Sequence, residues 1–449
     1  MLLHKFTFIA LFIYLASLAA TQTVYGAGLE AVRWISLLVF VVFGGLSYFT
    51  DDTRFTLQHV NTSLGIYLLL WTSTVIFGQF PLFSAFRLTA HAAVLVGSLL
   101  FLPQLVTFSN APRILTALKM LVATTLLISY IQPARRTVFD TASAFRGIFG
   151  NANSFGHICA IGSLLFLHGF ITNRRTRWGY VQAALTILST SLLIRSGARS
   201  SAVALIVGIL TLSLLYRKLF SRNLLIVWCV GSLILLSALK EQTQINAFLN
   251  KHSEFDQLEQ PMDRIGASRI PLWAASWEAF TERPIFGWGF GVDKDADMAK
   301  WNGQFTSLGF TKRDPVNDFT YTLETGGVIG FFAYFYLLTL LPKMWTTRQR
   351  ILPLLFHLPP TEQMRVLSAL ESQQLFMSLA LALAAMFELD GTALSAGSFF
   401  AVLLWVSLGF CVALRSLLLV DLPRRLTIAH QLYGRAEYLD PYPVFVSES

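Results

Sequence analysis

Charge is scarce in this chain. Only 13% of its 449 residues are Asp, Glu, Lys or Arg, against 54% hydrophobic. The mean hydropathy of +0.58 excludes an ordinary water-soluble domain. Cysteine is scarce too. The three present, Cys159, Cys229 and Cys411, lie far apart in apolar segments. That spacing argues against a disulfide framework and makes each a poor metal ligand. No Cys/His cluster has zinc spacing, and there is no internal repeat or low-complexity tract. The excess of 34 Lys and Arg over 25 Asp and Glu gives a formal charge of +9. These basic residues are dispersed among short loops, the pattern of a topology signal rather than a nucleic-acid face.

Long apolar runs supply what is missing. Stretches of about 18 residues or more recur along the chain, and lipid-embedded backbone must satisfy its own hydrogen bonds, here as helices. The runs predict an all-α polytopic membrane protein with about twelve transmembrane helices and one large periplasmic loop between late spans. The expected spans are roughly 4–21, 31–49, 60–78, 88–108, 113–131, 154–172, 178–194, 199–216, 222–239, 319–341, 373–389 and 394–419. Residues 1–239 then form an N-terminal bundle of about nine spans, and 240–318 the large loop. A single helix at 319–341 follows, then a cytoplasmic linker at 342–372, then two helices and a tail at 373–449. Pro353, Pro359 and Pro360 punctuate the linker, where Thr361 to Gln374 reads as a short surface helix. Lys5, the apolar run after it and Ala19-Ala20 have the outline of a secretory signal. Counting that run as an uncleaved first helix gives the consistent topology.

The positive-inside rule orients the chain. With the N-terminus cytoplasmic, the inner loops carry Arg174, Arg175, Arg177, Arg217, Lys218, Arg222, Lys343, Arg348 and Arg350, and the tail carries Arg424 and Arg425. Both termini are therefore expected in the cytoplasm, with the long loop facing the periplasm or exterior. Several arginines oppose this trend: Arg135, Arg136, Arg146, Arg195, Arg199, Arg264 and Arg269. Arginines at a membrane edge are functional candidates by default, although some snorkel to lipid phosphates. The second reading suits Arg135 and Arg136 best.

Three segments could carry chemistry. In Arg146-Gly147-Ile148-Phe149-Gly150-Asn151-Ala152-Asn153-Ser154-Phe155-Gly156, the glycines permit close backbone approach. Asn151, Asn153 or Ser154 can cap the next helix, whose N-terminus favours anions. Arg195-Ser196-Gly197-Ala198-Arg199-Ser200-Ser201 is a short turn whose guanidinium groups suit bidentate phosphate binding. The bland alternatives are a capped loop and a basic hairpin against headgroups. In the long loop, Ser268 can cap a helix starting near Ile270 with Pro271 in its first turn. Trp273, Trp277 and Phe280 would share one face of it, suited to a membrane interface, with Arg264 and Arg269 near its positive end. Arginines and tryptophans together suit a phosphorylated, sugar-bearing lipid.

Other signals fail. Gly287, Gly289 and Gly291 follow no strand of a βαβ unit, so they do not make a nucleotide loop. Asp293, Asp295 and Asp297 begin like a calcium loop, but Met298 and Gln304 stand where the glycine and glutamate belong. His91, His157 and His168 lie in or near spans and read as packing or helix-pairing residues.

The order of these blocks resembles the O-antigen ligase and polymerase superfamily of bacterial envelope glycosyltransferases. The resemblance covers roughly residues 140–341. It rests on Gly150-Asn151-Ala152-Asn153, Arg199-Ser200, the Arg269-to-Trp273 helix start, Pro284-Ile285-Phe286-Gly287-Trp288-Gly289, Asn317 and Gly327-Val328-Ile329-Gly330. It implies a multi-pass enzyme that takes an undecaprenyl-diphosphate-linked glycan as donor. The acceptor would be a growing glycan or a lipid A core. Arg199 and Arg269 match family arginines thought to hold the donor diphosphate, with Arg195, Arg264 and Arg146 as further contacts and Asn151, Asn153 and Trp273 as substrate-binding residues. Catalysis would stabilise a diphosphate leaving group electrostatically, with no nucleotide and no metal cofactor. The family often has a histidine just before the asparagine of its last motif; here Val316 precedes Asn317. Valine cannot take a proton, so Asp318 becomes the first choice of base beside Asn317, with Asp314 and Glu324 as alternatives. A helix-capping role for Asp318 stays open. A transporter or a non-catalytic glycolipid-binding protein of the same fold is the rival expectation.

Overall fold

Local sequence decides where several of the helices begin. In the computed structural model, which describes residues 2–26, 28–50, 58–131, 145–215, 270–294, 317–355, 358–388, 393–395 and 398–422, Pro81 opens one helix without needing an N–H partner. Thr176 caps another, its Oγ1 accepting the Gly179 N–H at 3.2 Å. Ser398 caps a third through the Ala401 N–H. The helices are α1 (Leu2–Thr21), α2 (Glu30–Thr50), α3 (Gln58–Ile76), α4 (Pro81–Val96), α5 (Leu102–Leu105), α6 (Ala111–Ile131), α7 (Ala152–Asn173), α8 (Arg177–Ser196) and α9 (Arg199–Leu215). After these come α10 (Ile270–Glu282), α11 (Asp318–Leu338), α12 (Leu340–Trp345), α13 (Thr347–Leu355), α14 (Pro360–Phe387) and α15 (Phe399–Ser416). A π-helical turn at Gly97–Phe101 joins α4 to α5.

Among the described residues, eight helices are long and apolar enough to cross a membrane, and Val60–Ile76 and Arg199–Leu215 are shorter apolar helices. The chain is an all-helical, multi-pass membrane protein over these residues. A helix stands at every expected span except 222–239, which lies outside the described residues together with most of the 240–318 loop. One expectation needs redrawing. The supposed surface helix Thr361–Gln374 and the following span are one continuous helix, α14. Ser372, Gln373 and Gln374 are buried in it, and Gln373 Nε2 donates to Thr347 Oγ1 at 3.1 Å.

The core is built around α7, α14 and α15, which are buried along most of their length. α7 packs on α8 and α9, α14 on α9 and α15, α1 on α2, and α3 on α11. With little hydrophobic gain between helices in lipid, polar contacts help register them. Ser163 Oγ lies 3.0 Å from Ser189 Oγ and 3.1 Å from Thr190 Oγ1, joining α7 to α8.

α11 is broken. Gly327 adopts φ 59 and ψ −158 inside it, which frees carbonyls before the break and N–H groups after it. The 283–291 loop fills the gap. Trp288 N donates to Glu324 O at 3.0 Å and Gly289 N to Thr325 O at 2.8 Å. In return Val328 N donates to Pro284 O at 2.8 Å and Ile329 N to Ile285 O at 3.2 Å. Irregular backbone at membrane depth is tolerated only where protein covers it, as here. At Gly287 a Cβ would stand 2.5 Å from Gly326 N, so no larger residue fits.

The alternating direction of the helices brings a set of loops to one end of the bundle. The α1–α2 loop meets the 145–151 loop through Val24 N to Ile148 O at 3.0 Å and Gly150 N to Gln22 O at 3.1 Å. That loop reaches the α8–α9 turn through Phe145 N to Arg195 O at 2.9 Å. The α3–α4 turn meets the 283–291 loop through Gln79 N to Trp288 O at 2.8 Å. Arg174, Arg175 and Arg177, between α7 and α8, lie at the opposite end.

Candidate functional site

Two groups of polar residues occupy the loop end. The first is built on the starts of α7 and α9. Asn151 caps α7, its side chain accepting the Asn153 N–H at 2.8 Å. α8 stops at Gly197, whose φ of 66 forms a left-handed C-cap. α9 starts two residues later with Arg199. The Arg195 guanidinium lies over the Phe145 ring at 4.8 Å, and Phe145 packs on Phe155 of α7 at 5.4 Å. Arg146 is buried at 5% exposure, with Nη1 3.5 Å from Gly150 O, while Arg195 and Arg199 are half-buried. The Arg195–Arg199 turn and the N-termini of α7 and α9 thus adjoin, beside the C-terminus of α8. Arg146, Asn151, Asn153, Arg195 and Arg199 lie on these adjoining segments.

The second group sits where α11 begins. Asn317 caps this helix, Oδ1 accepting the Thr320 N–H at 2.8 Å and the Thr320 hydroxyl at 2.5 Å. Asp318 is fully buried. Its Oδ2 accepts the Tyr334 hydroxyl at 2.7 Å and its Oδ1 the Ala393 N–H at 2.8 Å. Ala393 O in turn accepts from Trp405 Nε1 at 2.9 Å. Glu324 is also buried, and its Oε1 accepts the Lys294 N–H at 3.1 Å. Arg87 of α4 donates to the Gly291 carbonyl and lies over Phe83 at 4.8 Å. These bonds hold the loop against α4 and α11.

Glu388 adjoins it at the end of α14. Burial raises its carboxyl above the ordinary value, while the Phe319 backbone N–H, which it accepts, favours the ionised form. It is half-buried and next to the Asn317-Asp318 step.

The remaining expected residues divide. Trp273 lies on α10 and is half-buried. On the same helix Trp277 is 52% exposed and packs on Phe280 at 5.2 Å. Arg264, Arg269, Asp314 and Val316 lie outside the described residues. Sequence reasoning passed over Arg87, whose signal was an arginine inside an apolar run. It also passed over Glu388, a charge at the end of an expected span, and Tyr334, which nothing local marks.

Residues 183–335 match the family model described as O-antigen ligase. The resemblance to the O-antigen ligase and polymerase superfamily holds. The matched stretch of this superfamily contains Arg195, Arg199, Trp273, Asn317 and Asp318, and it spans the broken helix with the loop that fills it. It starts after the Arg146–Gly156 block, which the fold nonetheless brings against the Arg195–Arg199 turn. No curated protein matches the chain.

Proposed function

We propose that this protein is a glycosyltransferase of the bacterial inner membrane that moves an undecaprenyl-diphosphate-linked glycan onto a sugar acceptor at the periplasmic face. Polymerisation of a surface or exopolysaccharide repeat is favoured over ligation to a lipid A core, because Val316 departs from the family pattern. The observation that carries this reading is the meeting of the Arg195–Arg199 turn with the N-terminus of α7. That arrangement suits a diphosphate at the membrane edge. The superfamily match supports glycan transfer in envelope biosynthesis. The positive-inside rule supports the orientation, since Arg174, Arg175 and Arg177 crowd the other end.

In the proposed reaction an acceptor hydroxyl attacks the anomeric carbon of the donor. The bond from that carbon to the diphosphate oxygen breaks, and undecaprenyl diphosphate leaves. Arg199 and Arg269 hold the diphosphate and stabilise its growing charge, assisted by Arg195, Arg264 and Arg146. Asn151, Asn153 and Trp273 border the donor. The hydroxyl proton needs an acceptor, and Asp318 beside Asn317 is the assigned candidate. Each of its oxygens accepts one hydrogen bond, and a carboxylate oxygen has a second lone pair that can take a proton.

One observation favours the transporter alternative: discontinuous helices are frequent in transporters, and α11 is discontinuous at Gly327. Against it, backbone bonds from the 283–291 loop occupy the break rather than a solute path. The test is incubation of the protein in nanodiscs with an undecaprenyl-diphosphate oligosaccharide. A ladder of products identifies a polymerase, and one transfer to an added acceptor a ligase. Arg199→Ala and Arg269→Ala each abolish transfer while inserting normally. Absence of both turnover and donor binding in the wild type would replace this reading with the transporter.

A further inference from the structure

α7 holds the arginine-bearing turn with two arms. On one side Phe155 packs on Phe145, which carries the Arg195 guanidinium on its ring. On the other side His157 Nε2 lies 3.4 Å from Ser200 Oγ, in the first turn of α9 beside Arg199. Phe400 of α15 fixes the imidazole edge-on at 4.8 Å. Gly156 makes this approach possible. A Cβ there would stand 2.2 Å from Ala198 Cβ and 2.8 Å from Ser196 Oγ. Ser200 is 2% exposed and His157 6%, so the contact is nearly shut off from solvent. An apolar side chain at 157 would take from the buried Ser200 hydroxyl the imidazole that it meets, which is costly.

We propose that His157 is a positioning residue for the diphosphate site: through Ser200 it fixes the first turn of α9, and with it the direction of the Arg199 guanidinium. This rests on the reading of Arg199 as a diphosphate ligand. The Phe155 arm sets Arg195 and the His157 arm sets Arg199, so the start of α7 determines the spacing of the two cations.

The test uses full-length protein in nanodiscs and a donor-dependence measurement with the undecaprenyl-diphosphate oligosaccharide. His157→Ala and Ser200→Ala each raise the donor KM about tenfold and change kcat by less than about twofold, the pattern of lost donor binding. Two residues acting as one unit are non-additive, so the double variant is no worse than the weaker single one. His157→Gln, which keeps a nitrogen donor near the Nε2 position, recovers most of the donor affinity. A merely structural role would lower the amount of folded protein without this KM pattern or this rescue. Additive effects, or a wild-type KM in Ser200→Ala, overturn the proposal. Arg199→Ala separates the two layers. If it keeps wild-type donor binding, the diphosphate reading itself fails. If it loses donor while His157→Ala and Ser200→Ala keep it, only the positioning role fails. Should His157→Ala fail to insert, Ser200→Ala and His157→Gln decide, since each leaves the helix packing in place.

Discussion

The two polar groups at the loop end treat charge in opposite ways. Around α11, Asp318, Asp293 and Glu324 are 0%, 1% and 2% exposed, and Asp318 and Glu324 accept backbone N–H groups from distant segments. Around the α8–α9 turn, Arg195 in the last turn of α8 and Arg199 at the start of α9 are half-buried. A buried carboxylate with its oxygens occupied is part of the architecture, because losing its bonds strands the partners. Arg199 opens α9 at that helix's positive end, where an anion is favoured, whereas Arg195 closes α8 and lies over the Phe145 ring. Charge alone would treat both groups alike; burial separates them.

The sharpest way to break that contrast is at Asp318. Replacing it with Ala removes two hydrogen bonds to a buried carboxylate and leaves Tyr334 and the Ala393 N–H behind. The expected cost is about 3 kcal/mol, read as a lower unfolding temperature in detergent. Asp318→Asn sharpens the result. If the carboxylate is the base, Asn lowers stability, since its amide nitrogen cannot accept one of the two bonds, and the protein that remains folded loses transfer. If it is a wall of the site, Asn lowers stability, and the protein that remains folded is active.

Arg199→Ala tests the other side. Removing one preorganised charge from a developing diphosphate costs about 100-fold in transfer. Stability stays within about 0.5 kcal/mol, as for a side chain outside the core. A large drop in unfolding temperature would show that Arg199 belongs with the buried network instead.

Gly287→Ala addresses the join between the loop and α11. The φ of 65 and the 2.5 Å approach to Gly326 N both disfavour a side chain. The substitution costs about 2 kcal/mol and exposes the 283–291 segment to limited proteolysis. Unchanged protease resistance would mean that the loop is held from elsewhere.

These features differ in how far the sequence reveals them. Spans are legible because lipid demands long apolar helices, and the Asn151 cap and the Arg195–Arg199 turn are legible because their chemistry is local. The extent of α14 was not, since Ser372-Gln373-Gln374 has the polarity of a surface turn; only the Gln373–Thr347 bond shows why it can be buried. The break at Gly327 was also hidden. A glycine pair at the mouth of a span reads as an entry, and its purpose appears only when Pro284 and Ile285, far away in sequence, supply the missing acceptors. His157 was legible in kind, as a helix-pairing residue, but not in its partner.

Glu388 gives the smallest expected effect and the finest test of the contrast, because it is half-buried yet belongs to the α11 side. Its carboxyl is raised by burial in the folded protein, so the folded state binds its proton more tightly than the unfolded chain. The sign follows: this contribution favours folding below the ordinary carboxylate value of 4.5 and is lost as pH rises through the higher folded value. Above that window the ionised group costs stability. Glu388→Gln removes the titration, so unfolding temperatures measured against pH should flatten there, by a small amount because solvent screens a half-buried carboxylate. At neutral pH the variant should equal or slightly exceed the wild type. A clear loss instead would mean that the bond from the Phe319 N–H outweighs desolvation. Glu388 would then join Asp318 as a structural clamp on the first turn of α11.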